Sequence, residues 1–558
     1  MVTSGQILLR ALANAGYYGL MGRSAGPQIR GGESAVMLRS GIEPVECLDD
    51  RFDILMSLDW LNVSRFAEEI PLTAESLIIC DAAEGEIPEA IAGHGARVME
   101  LPLKELAKAV EGGRINMVAL GVLGDLLGIP ESVILEVIGT TLGRKGPEIV
   151  ESSGQCISNG YAAEKNHRPA NKLPPVETPP PRWDISGNEA SGLGALRGGV
   201  RFVAAYPITP ATEMLEWLAP NLEKVGGSLL QAEDELASIN MIIGGSFGGV
   251  PSLTATSGPG LSLMMEGLGL AVTSETPIVV ANVMRGGPST GIPTKSEQSD
   301  LNISLYGFHG DAPHLVLAAL NIRDCTFATE WAVRLAEQFQ TVAIVLSDQS
   351  QGQARSVIDP PPTAPIGPGR RIAEPEIEDY SRYCITEDGI SPMAIPGTPG
   401  GIYTADGLEH NEKGTPSSMP MDHQNQLDKR RDKLAGLDPG EHWAEIRGTG
   451  KACLITWGSS SGAAFEAGRR LEARGEPARV IAIRLLSPLP EKALKTLLED
   501  AQRVLVVEQN HGGQLFHYLH SLDLLPETAR VLAKPGPLPI RPGDVLNKLS
   551  HWNSNARN

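Results

Sequence analysis

Short apolar runs alternate along most of the chain with longer stretches whose apolar positions recur at helical spacing. That alternation is the signature of a mostly parallel sheet with crossover helices. In the middle of the chain it predicts strands over 200–205, 253–256, 277–284 and 342–346, with helices over 188–195, 212–219, 236–245, 261–271 and 323–338. The front predicts a helix over 5–15, strands over 35–38, 54–58 and 76–80, and helices over 103–110 and 117–127. The end predicts strands over 452–456, 479–484 and 503–507, with helices over 462–474 and 491–500. Two stretches break the rhythm. Residues 151–186 turn polar and then Pro-rich, from Leu173-Pro174-Pro175 to Pro179-Pro180-Pro181, and read as a semi-rigid linker. Residues 359–447 are rich in Pro, Gly and charge, and read as an arm that wraps another surface or as a flexible loop. The resulting division is 1–150, the linker 151–186, 187–358, the arm 359–447, and 448–558.

Composition narrows the class. A chain of 558 residues exceeds what one core can organise, and 62 glycines with 4% aromatics suit tight α/β packing. The 47 basic and 67 acidic side chains leave a formal charge of −20, which repels phosphate backbones and argues against a nucleic-acid partner. No apolar run approaches the roughly 20 residues of a membrane span, and residues 1–16 lack a signal-peptide layout, so a cytoplasmic protein is predicted. The six cysteines, Cys47, Cys80, Cys156, Cys325, Cys384 and Cys453, contain no C-x-x-C pair. Neither a zinc site nor an iron–sulfur loop follows from their spacing, and no metal ligand is assigned to this chain.

The candidate chemistry lies in four patches, each at the end of a strand-like run: Tyr206-Pro207-Ile208-Thr209-Pro210, Gln231-Ala232-Glu233-Asp234-Glu235, Thr256-Ser257-Gly258-Pro259-Gly260, and Arg285-Gly286-Gly287-Pro288-Ser289-Thr290-Gly291-Ile292-Pro293-Thr294. Ligands collect at the carboxyl ends of parallel strands, so the four patches are expected to line one crevice. In this order they resemble the alpha subunit of the 2-oxoacid:ferredoxin oxidoreductases, in wording most similar to the 2-oxoglutarate branch. The resemblance extends into both flanks. It implies an α/β multidomain fold: a gamma-like α/β domain in front, a pyrimidine-binding-type parallel-sheet domain of the thiamine-diphosphate fold, and a transketolase C-terminal-like domain. The family's gamma domain opens with a strand that is missing here before the first helix; either the domain lacks it or the true start lies upstream. Ser24-Ala25-Gly26-Pro27-Gln28-Ile29-Arg30-Gly31-Gly32 matches the gamma pattern, as a plain connecting loop or as part of the coenzyme A region.

Thiamine diphosphate needs a carboxylate hydrogen-bonded to its pyrimidine ring, and the family's spacing implies Glu235 rather than Glu233 for that role. The plainer alternative is that the acids of this patch merely cap the following helix. A guanidinium grips a carboxylate in a fixed fork, and the resemblance implies that Arg285, Thr209 and Thr294 hold the substrate; an ordinary surface ion pair is the competing account of Arg285. Pro207, Ile208, Gly258 and Gly260 are implied to meet the cofactor, Gly-Pro-Gly being too short a signal for a phosphate loop. His511, in the loop Glu508-Gln509-Asn510-His511-Gly512-Gly513-Gln514-Leu515, is read as structural. No Gly-Asp-Gly with a following Asn is present to hold magnesium and diphosphate. The resemblance therefore implies a beta subunit carrying the diphosphate, Mg2+ and a 4Fe–4S cluster, an assembly of two alpha and two beta chains, and electron exit to ferredoxin. The implied reaction joins 2-oxoglutarate and coenzyme A to give succinyl-CoA, carbon dioxide and two electrons. Pyruvate or a branched-chain 2-oxoacid is the alternative substrate, and a non-catalytic scaffold or a transketolase-like enzyme the alternative role.

Overall fold

The computed structural model describes residues 1–25, 34–163, 173–176, 180–376 and 378–552. Most of the Gly/Pro loop after Ala25 and the centre of the Pro-rich segment lie outside them. The chain forms two compact units: Met1–Ile185 with Ala354–Pro360 and Arg541–Gly543, and Ser186–Gln353 with Pro361–Ile540 and Asp544–Asn558. Among the described residues no helix is long and apolar enough to cross a membrane.

In the first unit the opening helix is Val2–Asn14, three residues earlier than the pattern predicts at its start, and it buries Ile7, Leu8, Leu9, Ala11 and Leu12. Tyr18–Ala25 pairs antiparallel with Ser34–Gly41 and, on its other edge, with Arg355–Ile358, a strand that returns from far along the sequence. A parallel sheet of Ile54–Met56, Leu77–Cys80 and Arg97–Glu100 lies in the same unit. The linker expected from residue 151 is instead helical to its twelfth residue, within Pro147–Ala162. The reason is close packing: a Cβ on Gly160 would fall 2.2 Å from Val118 O and 2.9 Å from the Cα of Gly121, so two glycines let this polar helix lie directly on the helix Ile115–Leu127. Small residues carried the contact, and no apolar period advertised it.

The second unit holds a seven-stranded sheet in the order Leu485–Ser487, Leu315–Ala318, Val342–Asp348, Ile278–Met284, Ser252–Thr256, Phe202–Ala205, Ser228–Gln231. All neighbours are parallel except the first pair. A five-stranded sheet follows in the order Ala444–Arg447, Ala478–Ile483, Ala452–Trp457, Arg503–Glu508, Arg530–Ala533, with only Ala444–Arg447 antiparallel. The strands Ile278–Met284 and Val342–Asp348 are buried along their whole length, which is why they read as unbroken apolar runs.

The arm is not free of regular structure. It contains the helix Pro420–Ala435, whose buried face is Gln426, Lys429, Arg430, Lys433 and Leu434. A face made of charges has no apolar period, so the pattern of the sequence passes over it. Its counterpart is Glu275, 1% exposed, which accepts from Lys429 Nζ and, at 3.2 Å, from Lys433 Nζ. Arg382 of the arm donates to Glu275 O at 2.8 Å and to Ser391 Oγ at 3.0 Å. Lys433 Nζ also donates to Gln340 O at 3.0 Å. Burial raises the Glu275 carboxyl, but Lys429, Lys433 and Arg382 outweigh it and hold the group below the usual carboxylate range. For Lys433 burial wins over Glu275 and brings its pKa down to about 8.

Breaking a buried ion cluster by deleting its single anion strands the cations. Glu275→Gln is therefore expected to destabilise the chain by about 3–5 kcal/mol in urea denaturation. Lys433 titrates at about 8 when folded and at its ordinary, higher value when unfolded, so the unfolded chain holds the extra proton between the two values. Stability then climbs as pH rises through that window, and the climb from pH ~8 to ~9 is expected to be smaller in Lys433→Met than in the unaltered chain. An equal climb in both would contradict the assignment.

Candidate active site

The four patches follow Phe202–Ala205, Ser228–Gln231, Ser252–Thr256 and Ile278–Met284, which are parallel and adjacent in the sheet. Adjacent parallel strands end on one edge, so the topology lays the patches side by side there.

The acidic patch separates into distinct roles. Asp234 is the N-cap of the helix Glu235–Phe247: its Oδ1 accepts from Ala237 N at 2.7 Å. Glu233 and Asp234 are exposed, whereas Glu235 is 6% exposed. Capping is thus done by Asp234, and Glu235 is left with a carboxylate turned onto the glycine turn. A Cβ on Gly260 would fall 2.1 Å from Thr256 Oγ1 and 2.6 Å from Glu235 Oε1. Only glycine there lets the acid sit where it does. Gly258 plays the same part for another carboxylate, since a Cβ on it would fall 2.9 Å from both Asp300 oxygens. The close approach at both glycines is that of protein carboxylates.

Arg285 directly follows the strand Ile278–Met284 and is 7% exposed, which removes it from the surface. Its Nη1 donates to Thr209 O at 2.6 Å, while its Nε is buried without a partner. The structure so brings Arg285 to Thr209 through the backbone carbonyl, not the hydroxyl. Burial lowers the Arg285 pKa, and the charge of Asp300 opposes that shift. Beyond Arg285 the loop doubles back, Gly286 N donating to Lys295 O at 3.1 Å and Ile292 N to Gly286 O at 2.8 Å. Gly291 takes φ 56° in this return. Thr294 is half-buried, set beside Gly286 by that pairing, and Pro207, Ile208 and Thr209 are half-buried at the neighbouring strand end.

Asp300, Asn282 and Gln298 were not marked by the sequence, where they are single polar residues without spacing to betray them. Asp300 is 8% exposed and accepts from Asn282 Nδ2 at 2.9 Å. The Ser299 hydroxyl lies 2.8 Å from both Asp300 Oδ1 and Arg285 O. Gln298, fully buried, donates to Trp457 O at 2.8 Å and accepts from Gln509 N at 2.6 Å. It ties the loop after Arg285 to the five-stranded sheet. Gln514 Nε2 adds a bond to Ser299 O at 2.9 Å. Glu508 accepts from Leu515 N, Phe516 N and Asn510 Nδ2, at 2.8, 3.0 and 2.6 Å, and so organises the turn that holds Gln514, while His511 is exposed.

Hydrogen-bonding capacity remains open along this edge: Asn188 Oδ1, Ser257 Oγ, Asn282 Oδ1 and Arg285 Nε are buried without partners. Buried polar atoms are normally paired. Four such atoms, with a buried acid and a buried guanidinium on the same edge, suit a polar ligand with an anionic end. The carboxylate and the orphaned hydroxyl fit the pyrimidine portion of thiamine diphosphate.

Comparison with known proteins adds identity to this geometry. Residues 193–429 match the family described as pyruvate flavodoxin/ferredoxin oxidoreductase, thiamine diP-bdg; residues 1–163 match pyruvate ferredoxin/flavodoxin oxidoreductase; residues 441–521 match the transketolase C-terminal domain. The 2-oxoacid:ferredoxin oxidoreductase subunit alpha of Saccharolobus solfataricus is 30% identical across 92% of this chain and 89% of its own. The 2-oxoglutarate synthase subunit KorA of Archaeoglobus fulgidus is 37% identical, over 59% of this chain and 88% of its own. A solved 2-oxoglutarate:ferredoxin oxidoreductase from Magnetococcus marinus, with 2-oxoglutarate, coenzyme A and succinyl-CoA bound, is 35% identical and superposes with a TM-score of 0.91 over 99% of this chain and 97% of that one.

The division between Asp234 and Glu235 is open to direct measurement. Asp234→Ala is expected to weaken hydrogen-exchange protection at the start of the helix Glu235–Phe247 by about 1 kcal/mol. Glu235→Gln is expected to leave that protection within a few tenths of a kcal/mol, the cap being intact. Equal losses in both would return Glu235 to a capping role.

Proposed function

The chain belongs to the 2-oxoacid:ferredoxin oxidoreductase family, and on that premise we propose that it is the fused gamma–alpha subunit of a 2-oxoglutarate:ferredoxin oxidoreductase. The reaction is 2-oxoglutarate with coenzyme A and oxidised ferredoxin giving succinyl-CoA, carbon dioxide and reduced ferredoxin, reversible according to electron supply. The observation that carries it is the meeting, on one sheet edge, of a buried carboxylate at a glycine turn and a buried guanidinium with an unused donor.

Thiamine diphosphate, when bound, supplies the nucleophilic carbon and the electron sink. The ring of that cofactor would have Glu235 as its carboxylate partner, a group able to hold a proton and, being buried, kept from competing water. Pro207, Ile208, Gly258 and Gly260 shape the wall against which the ring lies. Arg285 takes the C1 carboxylate of the 2-oxoacid, with Thr209 and Thr294 completing the pocket. Held this way, the substrate keeps one orientation while its C1 leaves as carbon dioxide.

A beta chain supplies the rest: the diphosphate site with Mg2+, the 4Fe–4S cluster and the docking of ferredoxin, in an assembly of two alpha and two beta chains within the cytoplasm. The relatives are themselves called alpha subunits. In support, the six cysteines of this chain include no C-x-x-C pair. The acidic net charge of −20 also disfavours an acidic electron carrier on this subunit.

The test is anaerobic co-purification with the cysteine-rich partner and coenzyme A-dependent viologen reduction with 2-oxoglutarate and with pyruvate. A clear preference for 2-oxoglutarate is expected; a preference for pyruvate would overturn the substrate, and activity with neither would overturn the enzyme. Glu235→Gln is expected to assemble normally and lose turnover by about 100-fold or more. Arg285→Lys, which loses the planar fork, is expected to raise KM by roughly tenfold with a smaller effect on kcat.

A further inference from the structure

We propose that Gln298 is a positioning residue of the reaction, through which the five-stranded sheet holds the backbone of Arg285 in place. The inference rests on the reading of Arg285 given above. Gln298 lies in the loop that follows Arg285, yet its side chain is bound by the other sheet. It is fully buried. Its Nε2 donates to Trp457 O at 2.8 Å, and its Oε1 accepts from Gln509 N at 2.6 Å, with the Ser460 hydroxyl 3.3 Å away. Its own N donates to Gln509 O at 2.8 Å.

This seat is where an open α/β sheet ordinarily takes a ligand. Ala452–Trp457 is flanked on one side by Ala478–Ile483 and on the other by Arg503–Glu508, both parallel to it. The chain leaves Ala452–Trp457 in one direction and later returns on the opposite side, so the strand order switches there, and the crevice opens at the carboxyl ends of Ala452–Trp457 and Arg503–Glu508. Trp457 ends the first of these strands and Gln509 follows the second. Gln298 bonds to both and fills the crevice from outside the sheet. Gly458 makes the room: it takes φ 57°, and a Cβ on it would fall 2.5 Å from Gln298 Nε2.

From Gln298 the constraint passes to one peptide unit. Arg285 O and Gly286 N belong to the same rigid plane, and the segment around Gln298 holds it from both sides. The Ser299 hydroxyl, shared with Asp300 Oδ1, donates to Arg285 O at 2.8 Å, while Gly286 N donates to Lys295 O at 3.1 Å. Gln514 Nε2, from the loop after Arg503–Glu508, adds its bond to Ser299 O at 2.9 Å. The guanidinium itself makes one hydrogen bond among the described residues, from Nη1 to Thr209 O at 2.6 Å, and its Nε has none. A binding group has to be held within about 0.5 Å of its productive place, and a single bond at the tip of a rotamer-rich side chain does not do that. The backbone brace supplies the remainder. Loosening it weakens the hold on the substrate in the ground state and the transition state alike, which raises KM and leaves kcat nearly unchanged.

The experiment measures KM and kcat for 2-oxoglutarate separately, in the assembled alpha–beta enzyme, for Gln298→Met, Ser299→Ala, Ser299→Thr, Arg285→Lys, and Arg285→Lys combined with Gln298→Met. Gln298→Met, which keeps the volume and loses the bonds, and Ser299→Ala, which loses the hydroxyl, are each expected to raise KM severalfold with kcat little changed. Ser299→Thr keeps the hydroxyl and is expected to restore KM. Because Gln298 acts through Arg285, the combined variant is expected to have nearly the KM of Arg285→Lys alone. A raised KM in Arg285→Lys with an unchanged KM in Gln298→Met and Ser299→Ala, whatever their kcat, would overturn the proposal and leave the reading of Arg285 standing. So would KM increases that multiply in the combined variant. An unchanged KM in Arg285→Lys would overturn that reading and the proposal with it. Should Gln298→Met fail to assemble, Ser299→Ala, at a half-buried position, carries the test; failure of both to assemble would mark the segment as purely structural and overturn the proposal as well.

Discussion

Gly258 and Gly260 admit two carboxylates to one turn, and the site is arranged around that admission. Glu235 comes in over Gly260 and Asp300 over Gly258, each close enough that a single methyl group would collide with it. The turn opens the helix Gly258–Thr273. Its first N–H groups and the positive end of its dipole favour negative charge nearby, which offsets part of the cost of burying two acids. Once the turn fixes both carboxylates, the next strand only has to end in Asn282 and Arg285 for the anion and the cation to stand in defined relation.

The second unit handles buried charge in two opposite ways. At Glu275 one carboxylate is saturated by Lys429 and Lys433, with Arg382 bound to the backbone carbonyl of the same residue. There the charges fasten the arm, although Arg382 Nε, Tyr383 OH and Gln426 Oε1 beside them are also buried without partners. At the sheet edge, Arg285 Nε, Ser257 Oγ and Asn282 Oδ1 stay buried and unpaired. Folding alone would gain from pairing or removing those atoms. Unpaired atoms occur in both places; the sheet edge differs in that there they accompany a buried carboxylate and a buried guanidinium at the ends of adjacent strands.

What was legible in the sequence follows the same division. Strands buried on both faces, such as Ile278–Met284 and Val342–Asp348, announced themselves as apolar runs, and the loops at their ends carried the residue wording that pointed to a family. The helix Pro420–Ala435 was invisible because its inner face is charged, and Pro147–Ala162 because its contact is made by glycine. Leu315–Ala318 and Leu485–Ser487 are short and take their places through partners far away in sequence, as does Arg355–Ile358. Within the site, the residue types at the strand ends could be read, but which of them meet could not. Asp300 carries no motif, and the separation of Asp234 as cap from Glu235 as buried acid depends on which way each side chain turns, which spacing does not encode.

The same turn also bears on the proposal that a partner chain holds the phosphate end of the cofactor. A helix N-terminus with Gly-Pro-Gly is a feature that could cradle a phosphate. Here that position already faces Glu235 and Asp300, with Glu233, Asp234 and Glu297 near by in the adjoining loops, against Arg285 at the strand end. A diphosphate brought to such an edge would meet carboxylates where it needs donors or a metal ion. On the proposed reading the edge takes the ring of the cofactor and the carboxylate of the substrate, and the phosphate end is held from elsewhere. Division of the reaction between two chains then follows, on that reading, from the electrostatics of one glycine turn.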